Sequence, residues 1–455
     1  MSAINHTRRI IFVSRQLGPE ALRSAQAIRK LEGVSLFGIG ETASDMKARE
    51  TFDDFIRVDD SHNADRLIDA ARRLRDEHGP LEQLVTAQET LLEPVALANE
   101  DLGLKGMSLA TVRRVLDKST LKATLERVGV NTPRAEVLVN RDNATEFVGA
   151  VGFPIILKPL SGSGGLASWC IRDSAQLDLA LGLMQPSAKN AVLAEEYVVG
   201  EEVCIDTITI DNEPRLYSIC LYRPSILEAL ENPRVQWRCV MPRHLTDDRY
   251  RNLIADGLKA VRALQVGNAV THMEGFSLGN GAYTFTDATL RPAGARIGPM
   301  LGCAYDMDMH LAWARAAIDG CFDGPWERKF AVGTIFLRGA GSGRLQEVEG
   351  IDTVKSELAS LITASRWPQV GATSSATYTG DGFVTVRHSE TAVVDEALNF
   401  IAGTVHITYS NPEERQPGAG VTEQWQARLQ HFDKQLNKPP WEYEQDELLP
   451  SVSEA

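Results

Sequence analysis

The 455-residue chain has no apolar run approaching the ~18 residues that a membrane-crossing helix needs, so a spanning protein is not expected. Its first residues, MSAINHTRRIIFVSR, carry only a short apolar burst ended by Arg15. That pattern reads as a first strand rather than a secretory leader. Positive charge is in deficit: 47 Lys and Arg stand against 61 Asp and Glu, a net charge of −14. Broad binding to nucleic acid or to an anionic membrane is therefore not expected, although a local basic pocket for phosphates is compatible with it. The six cysteines (Cys170, Cys204, Cys220, Cys239, Cys303 and Cys321) form no CxxC pair. Scattered cysteines fit reduced thiols in a cytoplasmic protein and point away from a disulfide framework or a zinc site. No GxGxxG follows the first strand, which removes the dinucleotide fingerprint. There is no internal repeat and no low-complexity domain.

What is present is an alternation of strands and helices. Residues 9–13, a helical pattern through Ala21, Leu22, Ile28 and Leu31, and a second run at 34–38 begin a parallel α/β unit. An amphipathic helix at 64–75 and a buried strand at 84–87 extend it. The expected fold class is α/β, becoming α+β in the central and C-terminal parts. A charged helical segment is expected over 108–129, and strands alternate with helices to about 325. VGTIFLRGAGSGRLQEVEGI reads as a hairpin, followed by a helix near 353–363 and by the strands FVTVRHSE and VHITYS. The expected divisions are an open α/β domain at 1–105, a central domain at 106–325 with a mobile lobe near 133–200, a C-terminal domain at 326–410, and a partly ordered tail at 411–455 with one helical stretch near 422–436.

Three segments carry chemistry. Ile155 to Pro159 is a buried strand ending in Lys158, and Ser161-Gly162-Ser163-Gly164-Gly165 follows. Glycines let backbone N–H groups approach phosphate oxygens, serines add donors, and the lysine supplies positive charge. No Gly-Lys-Ser or Gly-Lys-Thr closes the loop, so this is not a Walker loop. By itself it fits an ordinary hairpin turn better. In LAEEYVVGEEVCID, Glu195 and Glu202 stand seven residues apart around a glycine, where carboxylates and backbone groups could meet a base and a ribose. The third segment, THMEGFSLGNGAYTFTDATLR, contains Asn280-Gly281, a strong two-residue hairpin signal. Counting from that turn sets Glu274 opposite Asp287, His272 opposite Thr289, and Phe276 opposite Phe285. Like charges directly opposite repel, so a proton, a basic neighbour or a divalent cation must offset Glu274 against Asp287. Arg291 lies on the same face.

In order along the chain, these segments resemble the ATP-grasp superfamily. Asp117-Lys118 and Lys122 match its D-K-x-x-x-K helix, and Gly129 to Pro133 its G-V-x-x-P stretch. Pro154 to Gly165 match the P-x-x-x-K-P strand with its glycine loop, and Glu195 to Glu202 match E-E-(F/Y)-(I/V)-x-G-x-E. His272-Met273-Glu274 and Asp287 to Arg291 match the two closing strands. The RPAGARIGPM run and the 13-residue separation of the two acids look most like the L-amino-acid ligase and carnosine synthase branch.

The resemblance implies an ATP-grasp fold and an ATP-dependent ligase joining a small-molecule carboxylate to an amine, with amino acids the expected substrates. It implies Mg²⁺, or Mn²⁺ in its place, and is compatible with a homodimer. Lys118 and Lys158 are expected on the ATP phosphates under the Ser161–Gly165 loop, Glu195 and the backbone at Val198 on adenine, and Glu202 on ribose. Glu274 and Asp287 are expected on the metal, and Arg291 on the transferred phosphoryl group. Asp287 is shorter than the family's usual Glu, and Thr289 replaces the usual Asn. Arg223, Arg238, His272 and Arg296 are candidates for a substrate carboxylate. A carboxylase using bicarbonate, or a nucleotide-binding regulator without turnover, are the alternatives.

Overall fold

The computed structural model describes residues 7–42, 50–160, 168–232, 234–279, 281–375 and 377–411. The Ser161–Gly165 loop and the expected helical stretch near 422–436 lie outside these residues. Arg8–Val13 (β1), Pro19–Arg29 (α1), Val34–Gly40 (β2), Asp54–Arg57 (β3), Ala64–His78 (α2), Gln83–Val85 (β4) and Leu92–Leu102 (α3) build the N-terminal layer. Its sheet is parallel, in the order β3-β2-β1-β4. Helix α2 starts where the Asn63 side chain accepts from the N–H groups of Asp65 and Arg66, and it buries Leu67, Ile68, Ala71 and Leu74 at helical spacing.

The single helix expected over 108–129 is two, Leu109–Leu116 (α4) and Lys118–Arg127 (α5). Asp117 ends the first in extended backbone and caps the second, its carboxylate accepting from Thr120 N–H at 2.7 Å. The break makes Lys118 the first residue of α5 and stacks Lys122 one turn behind it on the same face.

A small antiparallel sheet follows, with its own core around Leu138, Phe147, Leu157, Trp169 and Leu181. Its elements are Ala135–Leu138 (β5), Arg141–Val151 (α6), Ile155–Pro159 (β6), Trp169–Ile171 (β7), Ser174–Met184 (α7) and Val192–Glu196 (β8), in strand order β5-β8-β6-β7.

The large sheet takes Glu201–Ile210 (β9), Glu213–Arg223 (β10), Arg238–Met241 (β11), Ala269–Gly279 (β12), Ala282–Thr289 (β13), Ala331–Leu337 (β14), Ile362–Arg366 (β16) and Gly382–His388 (β17). Their order is β13-β12-β9-β10-β11-β14-β17-β16, so one sheet runs across position 325. The helices among them are Ile226–Glu231 (α8), Asp248–Leu264 (α9), Ile297–Tyr305 (α10), Met309–Ala314 (α11), Ile351–Glu357 (α12) and Thr391–Thr404 (α13). Ser342–Glu349 (β15) pairs only with His406–Asn411 (β18) among the described strands. The hairpin expected between β14 and β15 therefore does not form: β14 already has β11 and β17 on its two edges, and the glycines at 339, 341 and 343 bring the chain against Ile407, Tyr409 and Ser410 instead. The helix expected near 353–363 stops at Glu357; a turn over 358–361 follows, and β16 begins at Ile362. No described helix is long and apolar enough to cross a membrane.

Alternation along β9 separates two environments. Val203 and Ile205 enter a core with Leu125 and Leu253, while Glu202, Cys204 and Asp206 point to the other face. Across the β12–β13 hairpin, Glu274 pairs with Asp287 and His272 with Thr289, as counted from the turn. Between them and the turn the register slips, pairing Phe276 with Thr284 rather than Phe285, and then slips back. The cause is a bulge at which the Phe285 N–H leaves the ladder and donates to Asn131 O at 2.9 Å. Gly275 sits at that bulge, and a Cβ there would lie 2.2 Å from Thr284 O. Gly275→Ala should destabilise the protein by about 1–3 kcal/mol in urea unfolding, because backbone and not a pliable side chain must give way.

Candidate active site

The register sets a block of polar groups on one face of the large sheet. Asp287 and Thr289 come from β13, His272 and Glu274 from β12, Glu202, Cys204 and Asp206 from β9, and Ser218, Cys220 and Tyr222 from β10. This face borders a cavity of about 970 Å³, walled on the other side by β6, β8 and the chain leaving β8. Its lining includes Lys118, Lys158, Glu195, Val198, Glu202, His272, Glu274, Asp287, Thr289 and Arg291. The size suits a ligand of several hundred daltons.

Five ionic groups, four of them buried and Asp287 partly exposed, alternate in sign at its edge. Lys122 Nζ lies 2.8 Å from Glu195 Oε1, and Glu195 Oε2 lies 2.9 Å from Lys158 Nζ. Lys158 Nζ is also 3.0 Å from Asp287 Oδ2, and Lys118 Nζ is 2.6 Å from Asp287 Oδ1. The Lys122–Glu195 contact is an ion pair without hydrogen-bond angles. Burial alone would raise the Asp287 pKa, but the charges of Lys118 and Lys158 outweigh it and hold the carboxyl well below its ordinary range. Burial lowers the Lys122 pKa despite Glu195; at Lys158, Asp287 and Glu195 together overcome burial and raise it.

His272 forms a second cluster. Its Nδ1 is 2.9 Å from Asp206 Oδ1 and its Nε2 is 3.2 Å from Glu274 Oε1. Burial disfavours an imidazolium here, yet Asp206 raises the His272 pKa well above its usual value. With a carboxylate at each ring nitrogen, His272 orients Glu274; this is not the arrangement of a substrate-carboxylate ligand. The Thr289 hydroxyl, opposite His272, is buried with no hydrogen-bond partner among the described residues.

Other expected positions fall elsewhere. Arg223 and Arg238, opposite each other on β10 and β11, are at the cavity rim, but their guanidinium groups are engaged there: Arg223 is shared between Glu201 of β9 and Asp395 of α13, each at 3.1 Å, and Arg238 donates to Asn399 of α13. Strand alternation explains this, since Tyr222 and Cys239 take the face that carries Glu202 and Cys204. Arg296 is not in the cavity lining, and its guanidinium lies over the Phe383 ring at 4.5 Å. The Glu195 carboxylate, expected at adenine, is committed to Lys122 and Lys158, leaving its backbone for a base.

Several lining residues were not singled out from the sequence. Glu89, on the turn after β4, meets Arg291 Nη2 at 3.2 Å. Asp206, which lies behind His272 and outside the lining, had a legible signal, the alternation with Cys204 and Glu202. Tyr222 and Trp237, with ring centroids 5.2 Å apart, and Tyr378, 4.8 Å from Trp237, line the cavity too, and nothing in their local sequence marks them.

Residues 117–287 match the family model for the carbamoyl-phosphate synthase L chain, ATP binding domain. Three solved structures align over most of the chain at low identity. L-amino acid ligase from Bacillus licheniformis is 16% identical with a TM-score of 0.70, covering 89% of this chain and 99% of that one. The ADP complex of N5-carboxyaminoimidazole ribonucleotide synthetase is 16% identical with a TM-score of 0.65, covering 87% and 96%. The biotin carboxylase domain of 2-oxoglutarate carboxylase from Hydrogenobacter thermophilus, a dimer with MgADP, ADP and bicarbonate, is 16% identical with a TM-score of 0.63, covering 88% and 90%. The chain has an ATP-grasp fold. Within it, the alternating lysines and carboxylates occupy the seam between the small sheet and the large one, and the matched segment begins at Asp117 and ends at Asp287.

Glu202 gives this site a pH signature. Burial, reinforced by the charge of Glu274, pushes its carboxyl from the ordinary 4.5 up to about 8, although it accepts from Ile226 N–H at 2.6 Å. Between those two values the unfolded chain has lost the proton and the folded chain keeps it, so stability falls as pH rises. Glu202→Gln removes this contribution. Urea unfolding from pH 5 to 8 should show the variant gaining stability relative to the parent as pH rises; a constant difference would contradict the assignment.

Proposed function

We propose that the chain is an ATP-dependent carboxylate–amine ligase, activating a small-molecule acid as an acyl phosphate and passing the acyl group to an amine. Amino acids are the substrates this reading favours. The observation that carries it is the convergence of Lys118 and Lys158 on Asp287, at a cavity wall shared with Glu274 and Arg291 and inside the segment matched by an ATP-binding family model. Ammonium groups held this way can exchange a carboxylate for phosphate oxygens. The thiols of Cys204 and Cys220 are pushed up by burial, which makes them poor nucleophiles and favours direct transfer between substrates.

The residues present fit a magnesium ion as well as a nucleotide. Glu274 offers a carboxylate and Thr289 an orphaned buried hydroxyl, both oxygen donors of the kind Mg²⁺ or Mn²⁺ takes. A bound ion supplies charge neutralisation between phosphate oxygens. In the reaction, the acid's carboxylate oxygen attacks the terminal phosphorus of ATP and the bond to ADP breaks. The amine then attacks the acyl carbon, phosphate leaves, and the nitrogen gives up a proton. Lys158 and Lys118 hold the phosphate charge, Arg291 steadies the acid and the acyl phosphate, the Val198 backbone meets adenine, and Glu202 meets ribose. Positioning and charge supply most of the catalysis.

The likeness to a biotin carboxylase domain solved with bicarbonate makes carboxylation the second reading. ADP release in the presence of pooled amino acids, with and without bicarbonate, separates the two. Release dependent on amino acids alone is the expected result, release dependent on bicarbonate supports a carboxylase, and release with neither overturns the ligase. Lys158→Ala should lower turnover about a hundredfold or more, while Lys158→Arg keeps the buried charge and tests that the loss is not one of folding.

A further inference from the structure

We infer that Glu89 selects the acid: it takes the ammonium of an α-amino acid whose carboxylate Arg291 takes, so that the compound activated here is a zwitterion and not a simple carboxylate. This rests on the ligase reading above and names the substrate class for it. Glu89 opens the short turn Glu89–Leu91 after β4 and lines the cavity. The turn is anchored on both sides of it: Leu91 is fully buried in the core of the N-terminal layer, and the Gln88 side chain accepts from Arg15 N–H at 2.8 Å. Glu89 Oε2 lies 3.2 Å from Arg291 Nη2, and Arg291 Nη1 donates to Pro292 O at 2.8 Å, so the guanidinium is fixed at both tips. Glu89 Oε1 has no partner among the described residues. The Arg291 and Glu89 side chains are 17% and 12% exposed, enough to touch a ligand and too little for water to satisfy them well.

The pair sets one negative and one positive group side by side, and an α-amino acid presents the complement, its ammonium and carboxylate one carbon apart. Both can be met without breaking the pair. Glu89 keeps Oε2 on Arg291 and offers Oε1, while Arg291 keeps its Nε and the second hydrogen of each tip. Other carboxylates on the cavity wall are engaged elsewhere: Glu195 with two lysines, Glu201 with Arg223, Glu202 with Ile226 N–H and Glu274 with His272. Glu89 is the carboxylate recorded against Arg291 among the described residues. Its charge also bears on the chemistry, because a nearby carboxylate favours the protonated form of an amine. An ammonium has no lone pair, so the acid's own nitrogen is kept from attacking and the second amine is left to do so. The site thereby tells the acid partner from the amine partner by charge state as well as by shape.

The experiment reads binding to the full chain by calorimetry, with Mg²⁺ and a non-hydrolysable ATP analogue present. The probes are the common amino acids taken singly, their desamino acids (phenylalanine against 3-phenylpropionate, for example) and their amides, which have no carboxylate to activate. The parent should bind at least one amino acid about tenfold or more tighter than its desamino counterpart. Glu89→Gln should lower the affinity for that amino acid about tenfold or more and leave the desamino acid and the amide unchanged. Glu89→Asp keeps the charge on a shorter arm and should retain part of the preference. An unchanged affinity for the ATP analogue shows that a variant is folded, and the Asp variant decides should the Gln variant fail that check. If Glu89 served only to aim Arg291, amino acid and desamino acid would weaken together; that result overturns the proposal, as does a preference that survives Glu89→Gln. A parent that binds the analogue but neither kind of acid overturns the ligase reading itself. A parent that binds both kinds equally overturns this proposal alone.

Discussion

Three lysines and two carboxylates, alternating as Lys122–Glu195–Lys158–Asp287–Lys118, hold the molecule's working seam together. Lys118, Lys122, Lys158 and Glu195 are buried and Asp287 is partly so, and a buried charge without a partner costs several kcal/mol, so each link depends on the next. The chain of pairs joins a helix, two strands of the small sheet and the hairpin of the large sheet, elements that share no backbone ladder with one another across the seam. Removing one member strands its neighbours, whereas an incoming polyanion can take the place of a carboxylate without leaving a lysine bare. Stability in the free state and affinity for a phosphate ligand therefore draw on the same groups.

The large sheet makes that seam possible by its period of two. Each residue on the Glu202 face of β9 is separated from the next by one that fills the core on the opposite side, so Glu202, Cys204 and Asp206 alternate with Val203 and Ile205. A one-residue slip would exchange the two sets. The paired slips in the hairpin are consistent with this constraint: the strand departs from register at Ser277 and Phe276 and has recovered it by Glu274. The turn and the acids keep their relation, and the irregularity between them gives the Asn131 carbonyl a donor.

Much of this was legible in the chain. Asn280-Gly281 fixed the count that sets Glu274 against Asp287, because turn length and pleat together determine which residues face each other. The strand ending in Lys158 and the helix carrying Lys118 and Lys122 were visible from apolar spacing and motif. What could not be read was whatever depends on distant contacts. The break at Asp117 looks like continuous helix until its capping bond is seen. The glycines after β14 look like a hairpin turn until Tyr409 and Ile407 are found against them. Arg223 and Arg238 look like anion ligands until α13, more than 160 residues later, supplies Asp395 and Asn399. The offset to the repulsion at the hairpin was anticipated as a cation, a proton or a basic neighbour, and lysines from two other elements provide it at Asp287.

Arg291 is clasped by Glu89, which belongs to the N-terminal layer, while Arg8 of the same layer reaches Asp319 at 2.6 Å beyond the large sheet. The leading domain is thus no detachable head. A chimaera that grafts another protein's first hundred residues onto this core would leave Arg291 without its clasp and Asp319 without its arginine, even if the graft folded perfectly. A graft that kept this clasp would have to carry the turn after β4 together with the strap after β13, two segments some 200 positions apart.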